Sequence, residues 1–170
     1  MKKQTSLDRI DRAILKVLQD DGRITNALLA DAVGLSPSAC LARVRRLEKA
    51  GVITGYKAQV NPARIASHLM VIASIRMEKH DLATSKKFET VIRDMPEVIE
   101  ASYTSGSTDY IARLIVPDVE YWAELQEELI ERLDLRIDTI VSHIIMRTAK
   151  HYSGIPLFGD GPKDSKPSLA

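Results

Sequence analysis

The sequence predicts an α+β chain in two parts, three helices followed by a βαββαβ unit. Three observations predict it. Apolar residues recur at helical spacing, between capping residues and glycines, through residues 7–47. From residue 69 onward, short apolar strands alternate with two amphipathic helices. The charge divides in the same place: residues 1–65 carry 12 Lys+Arg against 6 Asp+Glu, the remainder 12 against 17, inside a net charge of only +1. A basic part joined to an acidic part fits a chain that meets a polyanion at one end.

The first helix runs from a Ser6 cap, with Asp8 in its first turn and Leu7, Ile10, Ile14, Val17 and Leu18 on one face. Asp20, Asp21 and Gly22 end it. Thr25 caps a short second helix, Asn26 to Val33, between Ile24 and Leu29 at the spacing of a hydrophobic staple. Gly34 is placed for a left-handed cap, and Ser36-Pro37 opens a third helix that Gly51 closes. Helix, glycine turn, helix is the arrangement that lays a second helix in the DNA major groove.

On that third helix Cys40, Val44 and Leu47 form a narrow core stripe at ~100° per residue. Ser38, Ala42, Arg45, Arg46 and Lys49 lie opposite, with Ala39 and Arg43 on the flank. The candidate DNA contacts are therefore Asn26, Ser36, Ser38, Ala39, Ala42, Arg43, Arg45 and Arg46. Small side chains allow close approach, and arginines grip phosphates or read guanine, Arg46 being the expected base reader and Arg45 the phosphate grip. The bland alternative is an ordinary solvated arginine face. Cys40, on the apolar stripe, reads as a buried structural thiol rather than a redox sensor.

Gly55 to Val60 has strand character and ends at Asn61-Pro62, a connector between domains. The second part is predicted as strand 69–77, helix 85–95, strands 98–104 and 110–116, helix 119–133 capped by Asp118, and strand 137–146. This is the order of a ferredoxin-like split βαβ unit. Both helices then cover one sheet face, and the other face of a monomer should be polar. Instead Leu69, Met70, Val71, Ile72, Ala73 and Ile75 point to both faces, and so do Ile140, Val141, Ile144 and Ile145, with Ile72 and Ile144 expected in the buried interface. A second subunit is the simplest cover, a homodimer. The resulting domains are 1–54, a linker strand 55–66, 67–151, and a flexible tail 152–170 rich in glycine and proline.

No apolar run approaches the ~20 residues of a membrane span, and no signal-peptide core follows Lys2 and Lys3. The one cysteine fits a reducing compartment, so a cytoplasmic location is expected, with no membrane partner. An enzyme of amino-acid metabolism is a rival reading. However, His68, His80, His143 and His151 are scattered, and no metal-ligand spacing or phosphate-binding loop occurs; no catalytic residue, metal or cofactor is expected.

Leu7-Asp8-Arg9-Ile10-Asp11, Gly34-Leu35-Ser36-Pro37-Ser38, Arg43-Val44-Arg45-Arg46-Leu47-Glu48 and Gly51-Val52-Ile53-Thr54-Gly55-Tyr56 together carry a resemblance to the Lrp/AsnC (feast/famine) transcription regulators. It extends from Leu7 to about Lys150. The resemblance implies a regulator that binds double-stranded DNA, dimers that often build octamers, and an amino-acid effector. It places that effector at the turn between the second and third strands, on Tyr103, Gly106, Thr108, Asp109 and Tyr110, with His143 of the last strand facing the same pocket. The family often has an acidic residue and an aromatic where Ser107 and Thr108 stand, and Pro-Gly where 133–136 lacks it. Backbone N–H groups around Gly106 suit a carboxylate, and Asp109 an ammonium; the alternative is a plain hairpin turn capped by Asp109. A further rival is an architectural protein that coats DNA without sensing a ligand.

Overall fold

A computed structural model describes residues 6–157, which divide into two compact units, 6–59 with 150–157, and 60–149. In the first, helices α1 (Arg9–Asp20), α2 (Asn26–Val33) and α3 (Pro37–Lys49) enclose Ile14, Leu29, Ala30, Cys40 and Leu47. The cap of α1 differs from expectation: Asp8, not Ser6, holds it. The Asp8 carboxylate accepts the Asp11 N–H, and the Asp11 carboxylate accepts the Asp8 N–H, a reciprocal box that Ser6 has no partner to form. Thr25 and Ser36 cap α2 and α3 as predicted, and Gly34 (φ +69°) turns the chain between them. The Asn26 side chain donates to the Pro37 carbonyl at 2.8 Å, pinning the two helix starts together.

The predicted connector strand, 55–60, forms no strand and pairs with none among the described residues. The predicted flexible tail also needs correction over 152–157. The Gln19 side-chain amide clasps Ile155 from both sides, accepting its N–H at 2.6 Å and donating to its carbonyl at 3.3 Å, while Leu157 packs on the helical core. Apolar burial of Leu157 and two hydrogen bonds give this short segment something to dock on. Residues 158–170, the rest of that predicted tail, lie outside the described residues.

The second unit is the predicted α+β arrangement: β1 (Leu69–Met77), α4 (Leu82–Asp94), β2 (Val98–Tyr103), β3 (Tyr110–Val116), α5 (Val119–Glu127, running on as a wider turn over Glu128–Arg132) and β4 (Ile137–Ile144). α4 begins earlier than the apolar spacing suggested because Asp81 caps it, accepting the Thr84 N–H at 2.9 Å. The sheet is antiparallel in the order β2-β3-β1-β4. Val71, Ala73, Ile75, Ala112, Leu114 and Val116 face the helices and are buried against Phe88, Ile92, Trp122 and Leu129.

The register fixes the other face. Ile72 lies opposite Arg113 on one side and His143 on the other; Met70 pairs with Ile115, and Ser74 with Ile111 and Val141. No helix of this unit covers that face, where Ile111 and Val141 remain 39% and 50% exposed. Ile144 is not part of it, since it pairs with Val71 on the helix side.

Gly154 gives the docked segment a direct test. Its φ of +103° disfavours any side chain, and an added Cβ would meet the Gln19 side chain at 2.6–3.1 Å. Gly154→Ala is expected to destabilise the helical unit by about 1–2 kcal/mol. Calorimetry should show its midpoint lowered by several degrees; an unchanged midpoint would mean the clasp contributes nothing.

Candidate nucleic-acid interface and ligand turn

The structure sorts the predicted DNA residues into two groups. Ser36, Ser38, Ala39 and Ala42 are exposed at the start and outer side of α3. Ser36 accepts the Ala39 N–H at 3.3 Å as the helix cap and lies 3.3 Å from the Ser38 hydroxyl. Arg45 is exposed on the same outward side and has no hydrogen bond or ion pair among the described residues. It stands with Lys49 as an uncommitted cation on that face.

Arg43 and Arg46 lie on the flank toward α1, and there they meet carboxylates. Arg43 Nη1 donates to Asp8 Oδ2 at 2.5 Å and Asp11 Oδ1 at 2.9 Å, and Arg46 Nη2 donates to Asp11 Oδ2 at 2.5 Å. Asp11 is fully buried, the one buried charged residue among those described. Burial alone would push its carboxyl up. The hydrogen bonds from Arg46, Asp8 and Arg43 outweigh that and hold it below the ordinary aspartate value. The same contacts keep Asp8 low and raise the Arg43 guanidinium, chiefly through Arg43 and Asp8 respectively. Arg46 is thus paired with Asp11, while Arg45 has no such partner among the described residues. Asn26, half-buried, is likewise engaged on the Pro37 carbonyl. Helix periodicity could not show this, because Asp11 is 35 residues from Arg46. The burial of Cys40 and its upward-shifted thiol agree with a structural role.

The predicted ligand turn joins β2 to β3. Thr104 N–H donates to the Asp109 carbonyl at 2.8 Å and its hydroxyl to the Thr108 carbonyl at 2.6 Å, closing a tight loop over Gly106 (φ +118°). Gly106 is exposed and nothing lies within 4 Å of where its Cβ would be. Asp109 ties the turn to β1: its N–H donates to the Ile75 carbonyl at 3.0 Å, and its Oδ2 accepts the Met77 N–H at 2.8 Å. The other carboxylate oxygen lies 3.0 Å from His80 Nδ1. Sequence reading missed His80, which carries no local signal and reaches Asp109 only through the fold.

Tyr110 points into the core, its ring 4.5 Å from Phe88 and its hydroxyl donating to Glu89 at 3.0 Å. Tyr103 packs edge-on against it at 5.2 Å, 69% exposed. Between α4 and β2 these rings line a groove of about 340 Å³ with Phe88, Ile92, Arg93 and Val98. Tyr103, Gly106, Thr108, Asp109 and Tyr110 are therefore brought together as expected. His143 is not: it sits opposite Ile72 on the uncovered sheet face, away from the end of β1 that Asp109 holds.

Comparison with known proteins gives two family matches, a winged helix-turn-helix DNA-binding model over residues 7–54 and an Lrp/AsnC ligand-binding domain over residues 70–155. The leucine-responsive regulatory protein of Escherichia coli K12 is 40% identical over 144 residues, covering 85% of this chain and 87% of its own. The transcriptional regulatory protein DoeX of Halomonas elongata is 37% identical over 147 residues, covering 86% and 92%. Among solved structures, an AsnC-family transcriptional regulator from Agrobacterium tumefaciens superposes with a TM-score of 0.81 at 34% identity, covering 89% of this chain and 97% of that one. A Neisseria meningitidis transcriptional regulator in complex with L-Met gives 0.80 at 30% identity, with the same coverage.

Proposed function

This chain belongs to the Lrp/AsnC family of DNA-binding transcription regulators, and we propose that it reads duplex DNA through the outward side of α3 and adjusts that binding to an amino acid held at the 105–110 turn. The observation that carries the DNA reading is the outer side of α3, where Ser38, Ala42 and an unpaired Arg45 line up beside the helix start. The Ser38 N–H at that start, where Ser36 already accepts the Ala39 N–H, and the small residues around it suit a phosphate and a close base edge. The protein acts in the cytoplasm; among the described residues no single helix is long and apolar enough to cross a membrane.

Two copies make the working unit. The uncovered sheet face carries Met70, Ile72, Ile111, Ile115 and Val141, an apolar surface that a second copy of the same sheet would bury. Two recognition helices per dimer then match two half-sites about one helical turn apart. Ile72→Asp should convert the dimer to monomer in sedimentation, since an unpaired charge would enter the interface. A folded dimeric variant would refute this assignment of the face.

The effector reading is supported by the Lrp/AsnC ligand-binding match and by the L-Met complex of the Neisseria relative. Around the turn, exposed backbone at Gly106 suits a carboxylate, Asp109 an ammonium, and Tyr103 with the adjoining groove an apolar side chain.

Arg45→Ala is expected to weaken binding to DNA from the protein's own promoter by about 1–3 kcal/mol if Arg45 reads a base, or to lower the salt slope by about one if it grips phosphate. Anisotropy titrations at two salt concentrations distinguish these, and no change at either would remove Arg45 from the interface. For the effector, Asp109→Asn keeps an oxygen for the Met77 N–H while removing the charge. In a thermal-shift screen of the amino acids, wild type should be stabilised by at least one, and that response should disappear in the variant. An identical response in both would place the sensing site elsewhere; no response to any amino acid would favour a ligand-independent architectural protein.

A further inference from the structure

Asp11 and Arg46 form a pair whose two members have opposite surroundings. Asp11 is wholly enclosed, while Arg46 remains 51% exposed and spends only Nη2 on the carboxylate. A guanidinium carries five N–H donors in a rigid plane. The other donors of Arg46 have no partner among the described residues. Arg43 differs: it is 29% exposed, and its Nη1 is shared by two carboxylates. Asp11 is itself immobilised, because Oδ2 accepts the Asp8 N–H at 3.1 Å and its own N–H is bonded to Asp8 Oδ1 at 2.8 Å.

We infer that Asp11, which is too buried to touch DNA, is a positioning residue for DNA contact. Anchored in the cap of α1, it fixes one edge of the Arg46 guanidinium so that the free edge is presented to a DNA phosphate beside α3. The inference rests on reading α3 as the DNA-facing helix. The physical gain is preorganisation. A free arginine loses rotamer freedom when it docks on a phosphate, whereas an arginine already held by a buried carboxylate has lost it on folding. The chemistry also fits a bridge: carboxylate on one edge and phosphate on the other use separate donors of one planar fork. The charges tolerate it, since Asp8 and Asp11 together offset Arg43 and Arg46, leaving no excess negative charge to repel the DNA.

The test is a double-mutant cycle on the full-length protein, binding a mixed-sequence DNA duplex at low salt, where phosphate contacts dominate. Asp11→Asn should weaken binding about 3–10-fold, the loss expected when one long side chain must be immobilised on binding. In an Arg46→Ala background the same substitution should have no effect on DNA binding, although it still lowers thermal stability. Equal weakening in both backgrounds would overturn the inference, because a purely structural role acts regardless of Arg46. If Asp11→Asn does not fold, Arg46→Lys replaces it. One ammonium lacks the two edges needed to bridge, so it should bind as weakly as Arg46→Ala; wild-type affinity would overturn the bridge. Loss of DNA binding in neither Arg45→Ala nor Arg46→Ala would instead remove α3 from the interface, a failure of the functional reading itself.

Discussion

A fully buried carboxylate in a three-helix unit of this size is tolerable only if every oxygen is answered, because an isolated buried charge costs far more than so small a core returns. Asp11 meets that condition with two guanidinium nitrogens and a backbone N–H. Meeting it imposes a geometry. Arg43 and Arg46 must lie on the side of α3 that faces α1, which rotates Ser38, Ala42, Arg45 and Lys49 outward. It also ties the N-terminal cap of α1 to the middle of α3, so the angle at which α3 is presented is set by an ion-pair cluster as well as by the contacts of Ile14, Cys40 and Leu47. The buried pair is thus a constraint on direction more than a reservoir of stability.

The second unit solves a different problem. Its helices bury one sheet face, and the strands then carry isoleucine, methionine and valine to the other face as well. Arg113 and Glu100, an ion pair at 3.3 Å, and His143 lie among these residues, so the face is apolar with a polar seam rather than uniformly greasy. If a second copy covers this face as proposed, the polar seam would fix the register between the two sheets. Trp122 shows how the covered side handles its own polar group: its Nε1–H donates to Ser142, whose hydroxyl donates to Gln126.

Local chemistry made most of this legible in the sequence. Thr25, Ser36 and Asp118 cap helices because each needs only a backbone N–H three residues away, and Gly34 turns the chain because few other residues accept its φ. What escaped was set by contacts between distant residues. Ser6 and Asp8 are equally good caps by type, and only the Asp11 side chain decides between them. The pairings of Arg43 with Asp8 and Asp11 span 35 and 32 residues, that of Arg46 with Asp11 spans 35, and the Met77–Asp109 bond 32. The face of Ile144 escaped for another reason. A strand shifts all its side chains with a one-residue slip, and β4 pairs with β1 across an irregularity at Arg76/Met77 that no period in the sequence announces. The loop before β4 has the same character: Asp134 and Arg136 take positive φ without glycine, held by an ion pair of 3.1 Å and by fully buried Leu135.

For the proposed effector site, the remaining question is how a ligand at that turn would change DNA affinity. A ligand shifts an equilibrium only by its difference in affinity for the two states, typically about 1–3 kcal/mol in coupled sites. The Ser105–Asp109 turn is suited to have two states. It is fastened to β1 through a single residue, Asp109, by its N–H on Ile75 and its carboxylate on Met77 and His80. An ammonium that competes for that carboxylate must displace His80 or share the oxygen with it, and either event alters the fastening. The consequence would enter β1, whose outer side carries Met70 and Ile72 on the uncovered face. A ligand at the proposed turn would therefore act first on β1, the strand whose outer side no helix of this unit covers.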